Sequence, residues 1–186
     1  EQELWDEMSG KKVDSERVRR AREEEMIEIY KHEVYVKVPI SQCWDRTGKK
    51  PIAVRWIDVN KGDDTDVQMR SRLVAKEINT GKMEDLFAAT PPLETLKLLF
   101  SLAVTEGQGF KIGARKNGKK IDFIDVRRAY FHAKARREVY VDLPNEDREE
   151  GMCGMLQKSM YGTRDAAVNW EFEYAEWAES IGFVRG

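Results

Sequence analysis

The spacing of hydrophobic residues changes repeatedly along the chain, from the period of a helix to that of a strand. Helical spacing predicts three helices, over about residues 16–32, 93–105 and 164–181. Alternating or continuously apolar stretches predict strands over residues 33–39, 52–59, 69–78, 139–144 and 152–160. This mixture of elements predicts an α+β fold class.

Turn residues indicate how these elements are joined. Lys61-Gly62-Asp63-Asp64 separates two strands and predicts an antiparallel hairpin, and residues 110–126 predict a second hairpin with Asn117-Gly118 at its tip. Residues 44–51, which read WDRTGKKP, predict a loop. Because the first helix has a thin apolar stripe, we expect residues 1–33 to form a charged helical arm and residues 34–186 to form the main domain.

Composition narrows the class of protein. The 186 residues are 41% hydrophobic and 35% charged, which suits one soluble domain with an appended arm, and no apolar run is long enough to span a membrane. Cys43 and Cys153 lie far apart, which argues against a disulfide scaffold and favours a reducing interior. We therefore expect an intracellular protein, in the cytoplasm or nucleus, that is not secreted. The missing initiator Met suggests an excerpt of a longer chain.

The distribution of charge says more than its total. The net charge of −2 argues against a nucleic-acid binder, yet residues 111–137 contain ten bases and only two acids. Such a run is also consistent with a solvated face. The basic run indicates nucleic-acid binding only if it lies near a catalytic or binding site.

The stretch IDFIDVRRAYF places a carboxylate, Asp125, at the end of an apolar run that predicts a strand. A strand-end carboxylate can hold a divalent cation, with the carbonyl of Val126 as a further oxygen ligand and phosphates or water completing the shell. Taken alone, a strand-end Asp is more often a solvated cap or an ion-pair partner.

Two further patterns are compatible with phosphate binding. Arg70 and Arg72 are two residues apart on a predicted strand, so their side chains share one face and could grip a triphosphate. MYGTRDAAVNW, residues 160–170, places a Gly turn before a helix N-terminus, where backbone N–H groups can accept a phosphate. The alternatives are an exposed polar strand face and a plain helix cap at Asp165.

Four sequence blocks occur in an order that is more specific than any one of them. The blocks are RSRLVAKEI (70–78), LFAATPPLETLKLLFSLAV (86–104), IDVRRAYFHAKARREVYVDLP (124–144) and LQKSMYGTRDAAVNW (156–170). Together they resemble the reverse transcriptase domain of Copia-type (Ty1/copia) retrotransposons, with its K-A-R-L-V-A, F-A-P-V, D-V-K-T-A-F-L and Y-G-L-K-Q-A-P-R-x-W motifs. The T-R-D-A-A and Y-F-H-A variants resemble the divergent elements of dinoflagellates.

The resemblance implies a partial right-hand polymerase, with the fingers and the first part of the palm built from antiparallel hairpins and packed helices. It implies an RNA-directed DNA polymerase that uses two-metal phosphoryl transfer with Mg²⁺ or Mn²⁺. The implied partners are an RNA or DNA primer–template, deoxynucleotide triphosphates, and the rest of a Pol polyprotein (remaining palm, thumb, RNase H and integrase), with no membrane.

The resemblance also assigns roles to the residues that could carry chemistry. Asp125 corresponds to the first catalytic aspartate, and Val126 to the residue whose carbonyl helps to hold the metal. Tyr130 corresponds to the aromatic residue that stacks under the incoming sugar and excludes a 2′-hydroxyl.

The remaining assignments concern nucleotide and nucleic-acid contacts. Arg72, together with Arg70, corresponds to finger bases that contact the triphosphate, and Tyr161 and Gly162 to the motif that shapes the nucleotide pocket. A nucleic-acid patch is expected from four further arginines, which could also face solvent. These are Arg127, Arg128, Arg136 and Arg137.

The sequence departs from the family at several places. Asp165 stands where the family has Gln, Ala167 where it has Pro, and Glu77 where it has Gly, and the basic link at 107–120 is unusually long. The family's second metal motif, an aromatic-x-Asp-Asp hairpin, would come after the last helix, so we expect that these 186 residues do not polymerise on their own. The alternatives are a decayed or domesticated remnant that binds nucleic acid or protein without catalysis, and an unrelated α+β interaction domain.

Overall fold

A computed structural model describes residues 3–78, 92–109, 120–121 and 123–184. The chain divides into two compact units. One unit combines Glu1–Phe87 with Arg128–Gly186, and the other is Ala88–Arg127. Among the described residues, no helix combines the length and the apolar character needed to cross a membrane.

The first unit contains two antiparallel sheets. In the three-stranded sheet, β5 (Met152–Leu156) lies between β1 (Tyr35–Pro39) and β4 (Tyr140–Val141). The second sheet is the predicted hairpin, formed by β2 (Val54–Asn60) and β3 (Met69–Ala75). The mixed α+β class with antiparallel strands is therefore confirmed.

Among the described residues, four α-helices belong to the same unit. The first, α1 (Ser15–Lys31), agrees with the predicted helix, and its N-cap Asp14 accepts a hydrogen bond from the backbone N–H of Arg17. The others are α2 (Ile40–Thr47), α4 (Ala129–His132) and α5 (Ala166–Ser180). The remaining helix, α3 (Leu93–Val104), comes between α2 and α4 in the sequence and lies in the second unit.

One hydrophobic core joins α1, the hairpin and the three-stranded sheet. It is formed by Met26, Ile29, Val34, Tyr35, Leu73, Ala75, Phe131, Val139, Val141, Leu156 and Met160. A smaller cluster contains the two unpaired cysteines, Cys43 and Cys153, packed against Tyr140. This core brings β3 and α4 together, and Tyr161 packs against it, so these parts of the chain carry most of the candidate site.

The predicted loop at residues 44–51 is wrong in its first half, because α2 continues to Thr47. Cys43 is buried against Tyr140 of β4 and Cys153 of β5, so packing favours a helix that polar neighbours had concealed. Gly48 then ends the helix in a left-handed conformation, with φ of 65°, and its N–H donates to the carbonyl of Trp44.

The second unit agrees with the sequence in one element and differs in another. The predicted helix is present as α3, and Phe100 stacks on Phe123 with ring centroids 5.9 Å apart. Residues 123–126 do not form the predicted strand, and Phe123 and Ile124 are exposed. Within the described ranges no strand pairs with residues 123–126. A strand needs such a partner because its backbone N–H and C=O groups must form hydrogen bonds. The hairpin predicted at 110–126 otherwise lies largely outside the described residues.

Candidate functional site

The centre of the site is a contact between one arginine and two tyrosines. The guanidinium of Arg72, on β3, lies 5.1 Å from the ring centroid of Tyr161. The ring of Tyr130, on α4, lies 4.9 Å from that of Tyr161 and is tilted by 53°. The structure thus brings together three residues that the sequence had predicted separately. A cation over one ring of a packed tyrosine pair can bind a phosphate, while the second ring can stack against a sugar or base.

The turn that carries Tyr161 packs directly on the end of β3. The carbonyl of Tyr161 accepts a hydrogen bond of 2.8 Å from the N–H of Ala75. The following residue, Gly162, has φ of +84°, and a Cβ there would lie 2.0 Å from the carbonyl oxygen of Ala75. Only glycine permits both this conformation and this approach. Burial raises the pKa of Tyr161, and the positive charge of Arg72 opposes that increase.

Tyr130 is positioned by a short helix with an unusual first residue. Arg128, the N-cap of α4, has a left-handed backbone with φ of 51°. Its Nε donates a 2.9 Å hydrogen bond to the carboxylate of Glu25 on α1. Phe131, next to Tyr130, is fully buried and anchors the helix in the core. Arg128 was expected in the nucleic-acid patch, and its guanidinium is instead paired with this buried acid.

A second arginine of the expected patch, Arg137, also pairs with acids, of which Asp165 is buried and Glu77 half-buried. Arg137 Nη2 donates to Glu77 and, at 3.0 Å, to Asp165. Burial works to lower the pKa of Arg137, but the hydrogen bonds to both carboxylates raise it above its ordinary value. Asp165 also accepts from the amide of Asn169, which donates to Ser159 as well. This cluster, the Arg137 network, joins the end of β3 to the start of α5.

The other two patch arginines, Arg136 and Arg127, are exposed, unlike Arg128 and Arg137. Arg136 is exposed, lies over the ring of Phe172 at 4.5 Å and is 3.7 Å from Glu176. Arg127 is exposed in the second unit. Arg70 is exposed on β3, two residues from Arg72. Of the predicted basic residues, Arg70 and Arg136 therefore offer the more accessible guanidinium groups of the first unit.

Asp125 belongs to the second unit, Ala88–Arg127. Its side chain is exposed, and Val126 is half-buried. An exposed carboxylate beside a backbone carbonyl is an oxygen donor set of the kind that Mg²⁺ accepts when phosphates and water complete its shell. Within the described ranges, no group of three or more His, Cys, Asp or Glu side chains could form a closed metal site. The donors present fit a partial, substrate-completed site.

Comparison with known families agrees with this arrangement. A family model described as reverse transcriptase (RNA-dependent DNA polymerase) matches residues 33–185, which include all of the second unit, most of the first, and every candidate residue named above except Glu25. The chain belongs to the reverse transcriptase family. The resemblance drawn from the four sequence blocks is thereby confirmed.

Curated relatives of this reverse transcriptase sequence are Pol polyproteins of plant transposons. The chain is 24% identical over 174 residues to the retrovirus-related Pol polyprotein from transposon TNT 1-94 of Nicotiana tabacum, which covers 89% of this chain and 12% of the relative. It is 27% and 26% identical over 158 residues to those from transposons RE2 and RE1 of Arabidopsis thaliana. These two matches cover 78% of this chain and 10% of each relative.

The reverse transcriptase chain thus spans about a tenth of the length of the curated relatives it matches. These matches support a Copia-type retrotransposon reverse transcriptase, as the order of the sequence blocks had predicted. No solved structure matches the chain significantly.

The Arg137 network is the part of this reverse transcriptase site that sequence reasoning missed. Glu77 and Asp165 had been noted as separate departures from the family pattern, and Arg137 as part of an expected nucleic-acid patch. The structure places both acids on one guanidinium. The sequence did contain a signal for this network, because two acids replace uncharged family residues in a chain that also has Arg137. An uncompensated buried charge is costly, so two such acids indicate a nearby base.

Replacing Arg137 with methionine is expected to destabilise the chain by about 2–4 kcal/mol. Loss of one partner of a buried ion pair leaves an uncompensated charge, and we discount the usual cost because the Arg137 side chain is 30% exposed. Urea denaturation measures the free energy of unfolding. Arg136→Met is the matched control and should cost less than about 1 kcal/mol, since its ion pair with Glu176 is exposed. Equal losses in the two variants would contradict a stabilising network.

Proposed function

We propose that this chain forms the fingers and the first part of the palm of an RNA-directed DNA polymerase. The observation that carries the proposal is the contact of Arg72 with Tyr161 beside Tyr130, in a chain that belongs to the reverse transcriptase family. Arg72 would bind the triphosphate of an incoming deoxynucleotide, with Arg70 as a second, exposed contact. Tyr130 would lie against the sugar.

In the proposed reaction, the 3′-hydroxyl oxygen of a primer attacks the α-phosphorus of the deoxynucleotide. The bond from that phosphorus to the bridging oxygen breaks, pyrophosphate leaves, and the hydroxyl proton is lost to solvent. Asp125 and the carbonyl of Val126 would hold Mg²⁺ or Mn²⁺, which would neutralise phosphate charge and favour the ionised 3′-hydroxyl. Arg72 would orient the triphosphate of the incoming nucleotide.

Primer extension on an RNA template tests this function. The protein used is the Pol segment that contains this chain and continues beyond Gly186, because the curated relatives are much longer polyproteins. Deoxynucleotide incorporation that depends on the RNA template would support the proposal. Binding of the primer–template without incorporation would contradict it and favour the non-catalytic remnant.

Replacing Tyr130 with alanine is expected to raise ribonucleotide use relative to deoxyribonucleotide use. The half-buried ring packs against Tyr161, so its removal opens space where a 2′-hydroxyl would lie. Loss of one steric contact of this kind changes discrimination by about 10- to 100-fold. The ratio of kcat/KM for matched ribo- and deoxynucleotides measures it. Tyr30→Ala, at an exposed position on α1, should leave the ratio unchanged. The same ratio in both variants would remove this role from Tyr130.

A further inference from the structure

The helix α1 lies before the residues that match the reverse transcriptase family, yet it contributes to the same core. The family match begins at residue 33, and α1 ends at Lys31. Met26 and Ile29 are buried against Leu73 of β3 and Phe131 of α4. The helix therefore reaches the two elements that carry Arg72 and Tyr130.

Glu25 on this helix is a buried carboxylate with one unsatisfied oxygen. Its residue is 2% exposed, and its Oε2 accepts from Arg128 Nε at 2.9 Å. Its Oε1 has no hydrogen-bond partner among the described residues. Burial raises the pKa of Glu25, and the positive charges of Arg128, Arg72 and Arg70 oppose that increase. Burying a carboxylate costs free energy of folding, so the residues that it contacts indicate its role.

The principal contact of Glu25 is with a residue in a rare backbone conformation. Arg128 has φ of 51°, a region that L side chains seldom adopt, and it begins the short helix that carries Tyr130. The N–H of Phe131 donates to the Arg128 carbonyl, and that of Ala133 donates to the Tyr130 carbonyl. Glu28, one turn along α1, lies 3.9 Å from Arg128 Nη1 and adds a weaker attraction. Holding the Arg128 side chain thus holds the first turn of α4.

We propose that Glu25 is a positioning residue of the nucleotide site, acting through Arg128 to fix the place of Tyr130 beside Tyr161 and Arg72. This inference rests on the proposed function. Glu25 does not touch the nucleotide in this proposal, and its carboxylate also partly balances the arginines that would receive the triphosphate. The functional unit consequently begins before residue 33 and includes α1.

Glu25→Gln tests the proposal, with Glu24→Gln as the matched control. Glutamine keeps the size of the side chain but loses its charge, and Glu24 is its exposed neighbour on the same helix. The first measurement is hydrogen exchange of the Phe131 and Ala133 amides in the 186-residue chain, which needs neither nucleotide nor metal. We expect exchange at these amides to accelerate about tenfold in Glu25→Gln relative to the β1 and β5 amides. Equal exchange in the two variants, or uniform acceleration throughout the unit, would overturn the positioning role.

The second measurement is calorimetric binding of a deoxynucleotide triphosphate with Mg²⁺ to the longer Pol segment, either unsubstituted or carrying Glu25→Gln or Glu24→Gln. We expect Glu25→Gln to weaken binding about tenfold, because the first shell of a site depends on the groups that hold it. Unchanged affinity would overturn the role of Glu25 in the nucleotide site, whatever the exchange result. If the unsubstituted segment binds no deoxynucleotide, the proposed function fails, and the exchange comparison still decides separately whether Glu25 holds the first turn of α4.

A further pair of variants covers the case in which Glu25→Gln does not fold. Arg128→Lys keeps the positive charge but lacks the Nε donor that Glu25 accepts, so it should show the same local acceleration of exchange. Glu25→Gln combined with Arg128→Gly should restore slow exchange at Phe131, because glycine adopts a positive φ without being held. Failure of both expectations would overturn the proposal.

Discussion

Replacing Asp125 with asparagine is expected to abolish primer extension by the longer Pol segment while leaving the fold intact. Asparagine keeps the shape of the side chain and removes its negative charge, so it is a poor ligand for a hard divalent cation. Loss of metal-based stabilisation removes several kcal/mol from the transition state, which lowers the rate roughly a thousandfold or more. Because Asp125 is exposed, its substitution should change the free energy of unfolding by less than about 0.5 kcal/mol.

The control for this prediction is Asp45→Asn, the same chemical change at an exposed position on α2. Single-nucleotide incorporation at saturating deoxynucleotide should be unaffected in that variant, and both proteins should melt at the temperature of the unsubstituted segment. Incorporation by Asp125→Asn at the normal rate would contradict the catalytic role. A large fall in melting temperature for Asp125→Asn alone would show that the carboxylate supports the fold instead.

Local pattern was sufficient to predict the elements that depend on short-range physics. The hairpin of β2 and β3 follows from two β-prone stretches around a polar turn, and α1 follows from a capping Asp14 before a helical apolar spacing. Arg72, Tyr130 and Tyr161 were predicted from motif order, and the structure places them in contact. The family resemblance supplied roles that spacing alone does not determine.

Long-range pairing of charges could not be predicted in the same way. Glu25 is separated from Arg128 by 103 positions, and Glu77 from Arg137 by 60, so no local pattern connects them. Sequence reasoning therefore read Arg128 and Arg137 as surface bases, which is the common state of arginine. The expected strand before Asp125 failed for a related reason, since a strand requires a partner that local sequence does not identify.

The position of Tyr161 depends on a close backbone approach, and this explains why the turn requires Gly162. The N–H of Ala75 donates to the Tyr161 carbonyl at 2.8 Å, which fixes the turn against β3. The path then bends at Gly162 with φ of +84°. A Cβ at this residue would meet the Ala75 oxygen at 2.0 Å and Val74 Cγ1 at 2.6 Å. The carbonyl cannot withdraw without moving β3, and with it Arg72.

Gly162→Ala is therefore expected to destabilise the chain by about 2–5 kcal/mol, with about 1–2 from the left-handed backbone and about 1–3 from overpacking. Urea denaturation of the 186-residue chain measures this loss. Gly48→Ala separates the two causes, because Gly48 has φ of +65° but nothing within 4 Å of the added Cβ. It should show only the backbone part of the loss. Equal destabilisation at the two positions would mean that the turn moves to accommodate the added methyl group. Close packing of the Tyr161 turn on β3 would then not be what fixes the position of the site.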